Sequence, residues 1–553
     1  MRAWTTLVAA SLLLSGALAY GQDVPDLRVL DAVRAGDGAA LRLLLRDPGA
    51  RAAVDARDAG GATALHRAVE RDDTELAALL LEAGADPAAT TRYGVTPLAL
   101  AAANGNARLV SRLLEAGVDP NEVSQEGQTA LMSAALGGSV EAIALLVERG
   151  ARVNDVEPVR GQTPLMWAAG KGNAAAIDAL VAAGADVGQR SGGGFTALLF
   201  AVLNNQASVA ERLLDHGANV DDAAPDGTTA LNMAIVNAYY DLAWMLLDHG
   251  ADAAAPDPRG SPLHTIAWLR KPGATGTAAV GGEANGPPVP EGEVTGLELA
   301  RKLLEHGANP NVRVDWEERR FNKDGAAVTN PPDVALGRHL LTYNGATAYW
   351  VAANNGDAAL MQILLDGGAD PSIPSRFGVT PLMVASGLNY YEGESPGPFT
   401  GTSEAERLEA VKVALAAGNE LDAKADFGDY EMTGDPAYTL LYYPLNIDDL
   451  VDLGVGDPRW DGCTALHGSI LTGQPSIVRF LVEQGADIDA TCDLGWTPLM
   501  LARGVFLANA EKVNPEAEAI LTEALRAQGL PVPAPLPRPA SAGGTVAGGS
   551  SPE

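Results

Sequence analysis

The chain has 553 residues, more than one ordinary hydrophobic core supports, so either several domains or one extended array of repeats is expected. Apolar residues make up 47% of the chain and aromatic residues only 5%, which favours helices packed through Ala, Leu and Val over a β-sandwich. The formal net charge is −32 and no basic run is present, so the composition argues against nucleic acid and against an anionic membrane surface as partners.

The first element along the chain is a predicted export signal. Arg2 precedes the apolar run LVAASLLLSGALA, which is shorter than the roughly 20 residues that a membrane-spanning helix needs. Ala17, Leu18 and Ala19 fit the small-x-small pattern of a cleavage site, and no cysteine follows that could carry a lipid anchor. The sequence therefore predicts a signal peptide at 1–19 and an exported chain, periplasmic or extracellular, without stable membrane insertion after the signal is removed.

A repeat begins at about residue 58. The string G-x-T-P/A-L starts at Gly61 and returns at 94, 127, 161, 194 and 227, so that consecutive copies lie 33, 33, 34, 33 and 33 residues apart. It returns, once in shortened form, at 260, 345, 378, 462 and 495. A second string of the type L-L-x-x-G-A closes the units, as in LLEAGADP at 80–87. Such regularity indicates a stack of one supersecondary unit.

Each part of the repeat has a physical role. The Thr of G-x-T can cap a first helix, and the Pro or Ala that follows lies in the first turn, where the missing N–H of proline costs nothing. A pair of small residues permits close helix approach, and a Gly or Asn ends this helix. A second helix carries the Leu-Leu pair and ends at a Gly that can adopt a left-handed conformation, before a tight turn.

This pattern resembles the ankyrin repeat family, and with the leader it predicts an exported, bacterial-type member with long insertions. The resemblance implies an all-α solenoid of about twelve stacked helix pairs with β-turn fingers and a concave groove. It implies a degenerate N-terminal capping repeat at 24–57 and regular repeats at 58–270, 345–388 and 462–529. The Pro- and Gly-rich tail at 530–553 is predicted to be disordered.

Two repeats are interrupted, at 271–344 and at 389–461. Each gap still contains one second-helix string, GLELARKLLEHGANPN at 296–311 and EAERLEAVKVALAAG at 404–418, so each is one repeat that carries two insertions. Insertions of this kind map to loops on one side of a solenoid, often the binding side.

The residues that could perform chemistry belong mostly to the repeat. Of seven histidines, His66, His264 and His467 occupy one repeat position, which the family uses structurally, and only His339 is unexplained by the repeat. We find no histidine pair at metal-ligand spacing and no nucleophile motif, so the sequence predicts neither an enzyme nor a metal or cofactor site. Cys463 and Cys492 lie in adjacent fingers, where they either form a disulfide or remain two thiols.

The repeat register also predicts a binding surface. When the Thr of G-x-T is position 4, positions 8, 11 and 12 lie on the first helix of each repeat, and the resemblance places them on the concave groove. Seven candidate binding residues occupy these positions in the fourth to seventh repeats: Trp167, Lys171, Phe200, Asn204, Met233, Asn237 and Trp268. They either anchor a protein or peptide partner or pack laterally between neighbouring helices, and the sequence leaves both open.

Two further interpretations remain open. A catalytic or small-ligand site could be built from the insertions at 313–343 and 424–461, with Trp316, Arg319, Arg320 and His339 beside tyrosines of the second insertion. The chain could instead be a spacer that self-associates. The leading hypothesis is a scaffold that binds a protein or peptide through its groove.

Overall fold

The computed structural model describes residues 26–256, 260–270, 290–314, 345–376, 378–388, 402–426, 462–493, 495–507 and 510–535. Within these ranges the chain consists of short helices and divides into two compact units, residues 1–219 (unit 1) and residues 220–553 (unit 2). The predicted signal peptide at 1–19 and most of the predicted disordered tail lie outside the described residues.

Unit 1 begins with three short helices where the capping repeat is predicted: α1 (Arg28–Ala35), α2 (Gly38–Leu44) and α3 (Pro48–Ala52). Five helix pairs follow: α4 (Ala64–Glu70) with α5 (Thr74–Glu82), α6 (Pro97–Ala103) with α7 (Ala107–Glu115), α8 (Ala130–Gly137) with α9 (Val140–Glu148), α10 (Pro164–Lys171) with α11 (Ala174–Ala182), and α12 (Ala197–Leu203) with α13 (Ala207–Asp215).

The described part of unit 2 holds six pairs: α14 (Ala230–Val236) with α15 (Tyr240–Asp248), α16 (Pro262–Arg270) with α17 (Gly296–Glu305), α18 (Ala348–Asn354) with α19 (Ala358–Asp366), α20 (Pro381–Ala385) with α21 (Glu404–Ala416), α22 (Ala465–Leu471) with α23 (Pro475–Glu483), and α24 (Pro498–Arg503) with α25 (Pro515–Ala527). Between α24 and α25, strands β1 (Val505–Leu507) and β2 (Ala510–Lys512) pair antiparallel, with Val505 opposite Lys512. The helix pairs confirm the predicted fold class, and the two strands are a local addition to it.

The helix ends follow the predicted capping chemistry. In α6 the hydroxyl of Thr96 accepts a hydrogen bond from the N–H of Ala99 at 3.1 Å, and Pro97 occupies the first turn. Gly138 and Gly172 end α8 and α10 with φ values of 75° and 82°, in the left-handed region where a Cβ is disfavoured. The requirement at this position is a left-handed backbone, which glycine adopts most easily, since Asp72, Asn205 and Ala238 occupy it in other repeats with φ values of 60°, 53° and 57°.

The first helices of successive repeats contact one another, and so do the second helices. In unit 1, α6 contacts α8, α8 contacts α10 and α10 contacts α12, while in unit 2 the series α14, α16, α18, α20, α22 and α24 is likewise in sequential contact. The core between them consists of the repeat's Leu and paired Ala, for example Leu165, Ala168 and Ala169, which are at most 1% exposed. Small side chains at these positions allow the close approach of the helices.

Asparagine side chains join consecutive repeats through a contact that we name the loop clasp. Asn121 Nδ2 donates to the carbonyl of Gly150 at 3.0 Å, and its Oδ1 accepts from the N–H of Arg152 at 2.9 Å. Asn154 makes the same two bonds to the next repeat. In unit 2, Asn311 bonds Gly368 and Asp370, although an insertion separates these residues in sequence. The clasp therefore tolerates an interrupted repeat.

The single 34-residue spacing, from Gly127 to Gly161, has a local cause. In the two neighbouring fingers a short side chain, Ser124 or Ser191, accepts a hydrogen bond from the backbone of its own turn. In the longer finger Glu157 takes this role, because its carboxylate reaches the N–H groups of Val159, Arg160 and Gln162 at 2.7 to 3.1 Å. Glu157 is 4% exposed, so this charge stabilises the enlarged turn from inside.

Candidate binding face

Unit 1 has a partly exposed surface on its first helices, which we name the open face. It comprises positions 8, 11 and 12 of helices α6, α8, α10 and α12, namely Leu100, Ala103, Asn104, Ser133, Leu136, Gly137, Trp167, Gly170, Lys171, Phe200, Leu203 and Asn204. All are half-buried or exposed, and Leu136 and Leu203 remain 36% and 44% exposed. Together with the half-buried rings of Trp167 and Phe200, these leucines form a group of apolar side chains on one surface, which marks an interface more often than a single exposed leucine does.

Trp167 lies at the middle of this face, on α10. Its side chain is half-buried, so one part of the ring packs within the stack and another part belongs to the surface. The indole Nε1 is enclosed and has no hydrogen-bond partner among the described residues. An enclosed donor of this kind usually finds a partner, which makes Trp167 the least satisfied side chain of the open face.

Phe200 and Asn204 extend the face by one repeat. Phe200 is half-buried, and its ring centroid lies 5.8 Å from that of Phe195, so the finger packs onto the first helix of its own repeat. Asn204 is exposed and donates Nδ2 to the carbonyl of Phe200 at 2.8 Å, a second hydrogen bond to a carbonyl that already accepts from the N–H of Asn204. Lys171 is exposed on the preceding repeat.

The other three predicted binding residues, Met233, Asn237 and Trp268, lie in unit 2. Met233 is only 7% exposed, and Asn237 and Trp268 are half-buried. Asn237 repeats the bond of Asn204, donating to the carbonyl of Met233 at 2.8 Å, and the ring of Trp268 lies 5.9 Å from the imidazole of His264. The seven predicted residues therefore fall into two sets, four in unit 1 and three in unit 2.

The same repeat positions are closed in much of unit 2. Position 8 is occupied by Thr265, Val351 and Val384, which are at most 1% exposed, and position 11 of α22 is Leu471, which is 5% exposed. Sequence reasoning missed this difference, because the residue types at these positions are as apolar as those of unit 1.

Unit 2 also buries more polar groups near the ends of its first helices. Arg407, 1% exposed, donates to the carbonyl of Asn354 at 3.1 Å and to that of Ala385 at 3.4 Å, so its guanidinium bridges the C-termini of α18 and α20. Asp357, 2% exposed, accepts from Arg270 at 2.8 Å. The helix dipole favours the positive charge of Arg407 at the C-termini of α18 and α20. The negative charge of Asp357 is stabilised by its ion pair with Arg270.

The repeat histidines are structural, as the sequence suggests. His467 Nδ1 accepts from the N–H of Thr464 at 3.2 Å, so Nε2 carries the proton and donates to the carbonyl of Trp496 in the next finger at 3.2 Å. His66 and His264 make equivalent bonds to Val95 and Ala346. Burial lowers the pKa of His264 and His467 to about 4, and it lowers the pKa of His66.

Of the other residues with predicted chemical roles, the structure describes the two cysteines but not the residues of the insertions. Cys463 and Cys492 are both buried, and the two alternatives, a disulfide or two thiols, both stay predictions. The residues of the alternative site in the insertions, Trp316, Arg319, Arg320 and His339, lie outside the described residues. Within the described ranges, no three His, Cys, Asp or Glu side chains cluster as a metal site. No described helix is both long enough and apolar enough to cross a membrane.

Comparison with known proteins supports the repeat assignment. The sequence model "Ankyrin repeats (3 copies)" matches residues 29–123, 98–191, 171–257 and 434–505, and the model "Ankyrin repeat" matches residues 344–376, together more than half of the chain. Two similar proteins are the potassium channel AKT1 of Oryza sativa subsp. indica and that of subsp. japonica, each 41% identical over 58 residues. The matched stretch is 10% of this chain and only 6% of each channel, so the likeness concerns a short repeat segment.

Proposed function

Because the chain belongs to the ankyrin repeat family, whose repeats generally mediate protein–protein interaction, we propose that it is a non-catalytic scaffold that holds a protein or peptide on the open face of unit 1. The observation that carries this proposal is the partial exposure of large apolar side chains, Leu136, Trp167 and Leu203 among them, on one face of consecutive helices. Apolar side chains exposed together usually mark an interface.

The proposal assigns the two units different roles. In unit 2 the corresponding positions are closed, so binding there would first require the separation of packed side chains such as Val351 and Val384. Unit 1 needs no such change, because its apolar side chains already reach the surface. We therefore place the binding site on Trp167, Lys171, Phe200 and Asn204 and treat Met233 as a packing residue.

We also propose that the protein acts outside the cytoplasm. The motivation is the leader-like sequence at 1–19, with its basic residue, short apolar run and Ala-Leu-Ala site. Mass spectrometry of the protein from its native host tests this: a mature chain that begins at Tyr20 or close to it is expected. An intact chain that retains Met1 or starts at its second residue would contradict export by this route.

The binding role is tested with the double variant Trp167→Ala/Phe200→Ala. The wild-type and variant chains are immobilised and exposed to the extracytoplasmic fraction of the host, and retained proteins are quantified. Tyr93→Ala is the matched control, because Tyr93 is a finger aromatic that is 76% exposed and lies off the open face. We expect the double variant to lose a retained protein that the control keeps, with a cooperative thermal unfolding transition preserved in both.

Two outcomes would oppose the binding role. Equal retention by wild type and double variant would show that the open face does not bind the retained protein. Loss of the unfolding transition in the double variant would show that Trp167 and Phe200 serve the core, and the milder pair Trp167→Phe/Phe200→Leu would then decide whether any loss of retention occurs in a folded chain.

A further inference from the structure

Two exposed leucines on the open face flank a glycine that occupies the same repeat position. Position 11 holds Leu136 on α8, Gly170 on α10 and Leu203 on α12, and both leucines are exposed. Because packed helices lie about 8–10 Å apart, we expect the missing side chain at Gly170 to leave a depression between Leu136 and Leu203, with the amide of Asn204 at its edge. We name this depression the Gly170 notch. Trp167, one turn earlier on α10, lies beside it.

Neither backbone conformation nor packing requires a glycine at this position. Gly170 is absent from the residues with positive φ, so an L-residue fits its backbone. A Cβ placed on it would meet one atom within 4 Å outside its own helix, Asn204 Nδ2 at 3.9 Å, which is an ordinary contact. Gly137 is different, because a Cβ there would overlap the carbonyl oxygen of Ala103 on the neighbouring helix. Helix propensity disfavours an unneeded glycine by about 1 kcal/mol.

A lone cation lies at the rim of the notch. Lys171 is exposed, and within the described part of the chain it takes part in no ion pair or side-chain hydrogen bond. The residues at its repeat position on neighbouring helices, Asn104, Gly137 and Asn204, are neutral. In a chain of net charge −32, the open face around the notch thus presents a single, unpaired positive charge. Distant acidic groups are screened over about 8 Å at physiological salt, so the local cation governs contacts at the notch.

Resting on the proposed function, we infer that the partner inserts one large apolar side chain into the Gly170 notch and places a carboxylate, from an Asp or Glu within one helical turn of that side chain, on Lys171. The apolar group takes the place of the side chain that Gly170 lacks, and the carboxylate neutralises a cation that has no ion-pair partner among the described residues. An apolar anchor at the centre with a charged pair at the rim is the usual division of roles at an interface.

The test uses a displayed library of random twelve-residue peptides, selected at physiological salt on the full-length mature protein. We expect selected sequences to pair Leu, Ile, Met or Phe with an Asp or Glu at most four residues away. Synthetic peptides from the selection are then titrated against wild type, Gly170→Leu and Lys171→Glu. Gly170→Leu should weaken binding at least tenfold while its melting temperature is equal to or above that of wild type, because the leucine improves helix propensity and fills only the notch.

Charge reversal examines the second half of the inference. Lys171→Glu should weaken binding about three- to fivefold at the same physiological salt concentration, as expected for an exposed pair. A peptide whose acidic residue is replaced by lysine should bind this variant better than it binds wild type. Arg108→Leu, which adds an apolar group to an exposed position on α7, is the control and should bind like wild type.

The outcomes separate this inference from the function on which it rests. Peptides that lose affinity for Trp167→Ala/Phe200→Ala but not for Gly170→Leu would overturn the notch and leave the open face as a binding site. Peptides indifferent to all these variants would count against the proposed function itself. A selection without acidic residues, or one that returns no binder, would overturn the inference, because the library contains the class of peptide that it names.

Discussion

Leu203 in unit 1 and Leu471 in unit 2 occupy the same position of the same repeat, yet 44% of one is exposed and only 5% of the other. The contrast extends along the first helices. Trp167 and Phe200 are half-buried where Val351 and Val384 have no exposed surface. The frame that stacks the helices is shared by both units, so the frame does not determine whether this face is available to a partner.

What differs is the content of the non-frame positions and of the connections. The repeats of unit 1 follow one another without long insertions, and their buried polar groups are mainly the capping threonines. The repeats of unit 2 carry the insertions, and they bury side chains such as Arg407, Asn355 and Gln474 at the helix ends. A buried polar group is specific about its neighbours, because an unmade hydrogen bond is costly. We therefore expect substitutions at buried polar positions to destabilise unit 2 more often than unit 1.

The largest effect is expected from Arg407→Ala. It removes the guanidinium that bridges the ends of α18 and α20 and leaves the carbonyls of Asn354 and Ala385 buried without that donor. We expect the free energy of unfolding of unit 2 to fall by about 3–5 kcal/mol and that of unit 1 to stay unchanged. Hydrogen exchange of peptides from each unit, followed during a denaturant titration, measures both values. Arg108→Ala, an exposed arginine of unit 1, should change stability by less than about 0.5 kcal/mol. If Arg407→Ala lowers the free energy of unfolding no more than Arg108→Ala does, buried polar contacts do not distinguish the stability of unit 2 from that of unit 1.

Acid should weaken unit 2 through its neutral histidines. The folded pKa of His467 is about 4 against an ordinary value of 6.5, so below pH 6.5 the unfolded chain binds a proton that the folded chain excludes. The contribution of His467 to the free energy of unfolding should therefore be constant above pH 6.5 and fall by about 3 kcal/mol as the pH decreases to about 4. His467→Met, which places the residue of Met132 and Met166 at this repeat position, should reduce this part of the pH dependence. An unchanged slope in that variant would show that His467 does not titrate this way.

Matched truncations test the open and closed faces directly. Leu471→Ala should cost about 2–3 kcal/mol, because it empties a buried site, whereas Leu203→Ala should cost less than about 1 kcal/mol. Urea unfolding followed by circular dichroism measures both. If the two substitutions lower the free energy of unfolding equally, Leu203 is buried in solution as Leu471 is. The open face would then not include Leu203.

The smallest expected effect is an increase in stability. Gly170→Ala should stabilise unit 1 by about 0.5–1 kcal/mol, since it removes a helical glycine without a steric conflict. Gly137→Ala should destabilise the same unit, because its Cβ would overlap the carbonyl oxygen of Ala103. The two melting curves should shift in opposite directions from that of wild type. A loss in both would mean that the notch is already filled.

Local chemistry made much of the fold predictable from sequence. The Thr caps, the left-handed glycines and the Leu-Ala core each follow from interactions within one repeat, so their positions could be assigned without coordinates. The sequence also placed Trp167 and Phe200 on a candidate face. It could not show that Met233 is buried or that Arg407 bridges two helix ends, because these depend on neighbours distant in sequence. The hairpin of β1 and β2 has no repeat signature at all.

The loop clasp has an evolutionary consequence. Asn121 and Asn154 hold the next repeat through its main-chain N–H and C=O groups, which every residue type other than proline offers. A repeat that supplies the asparagine does not need to recognise the side chains of the repeat that follows. Units can thus be duplicated, lost or exchanged while the joint between them survives, and Asn311 shows that a long insertion can enter the chain without breaking it. The joint is generic, which frees the remaining positions to diversify toward partners.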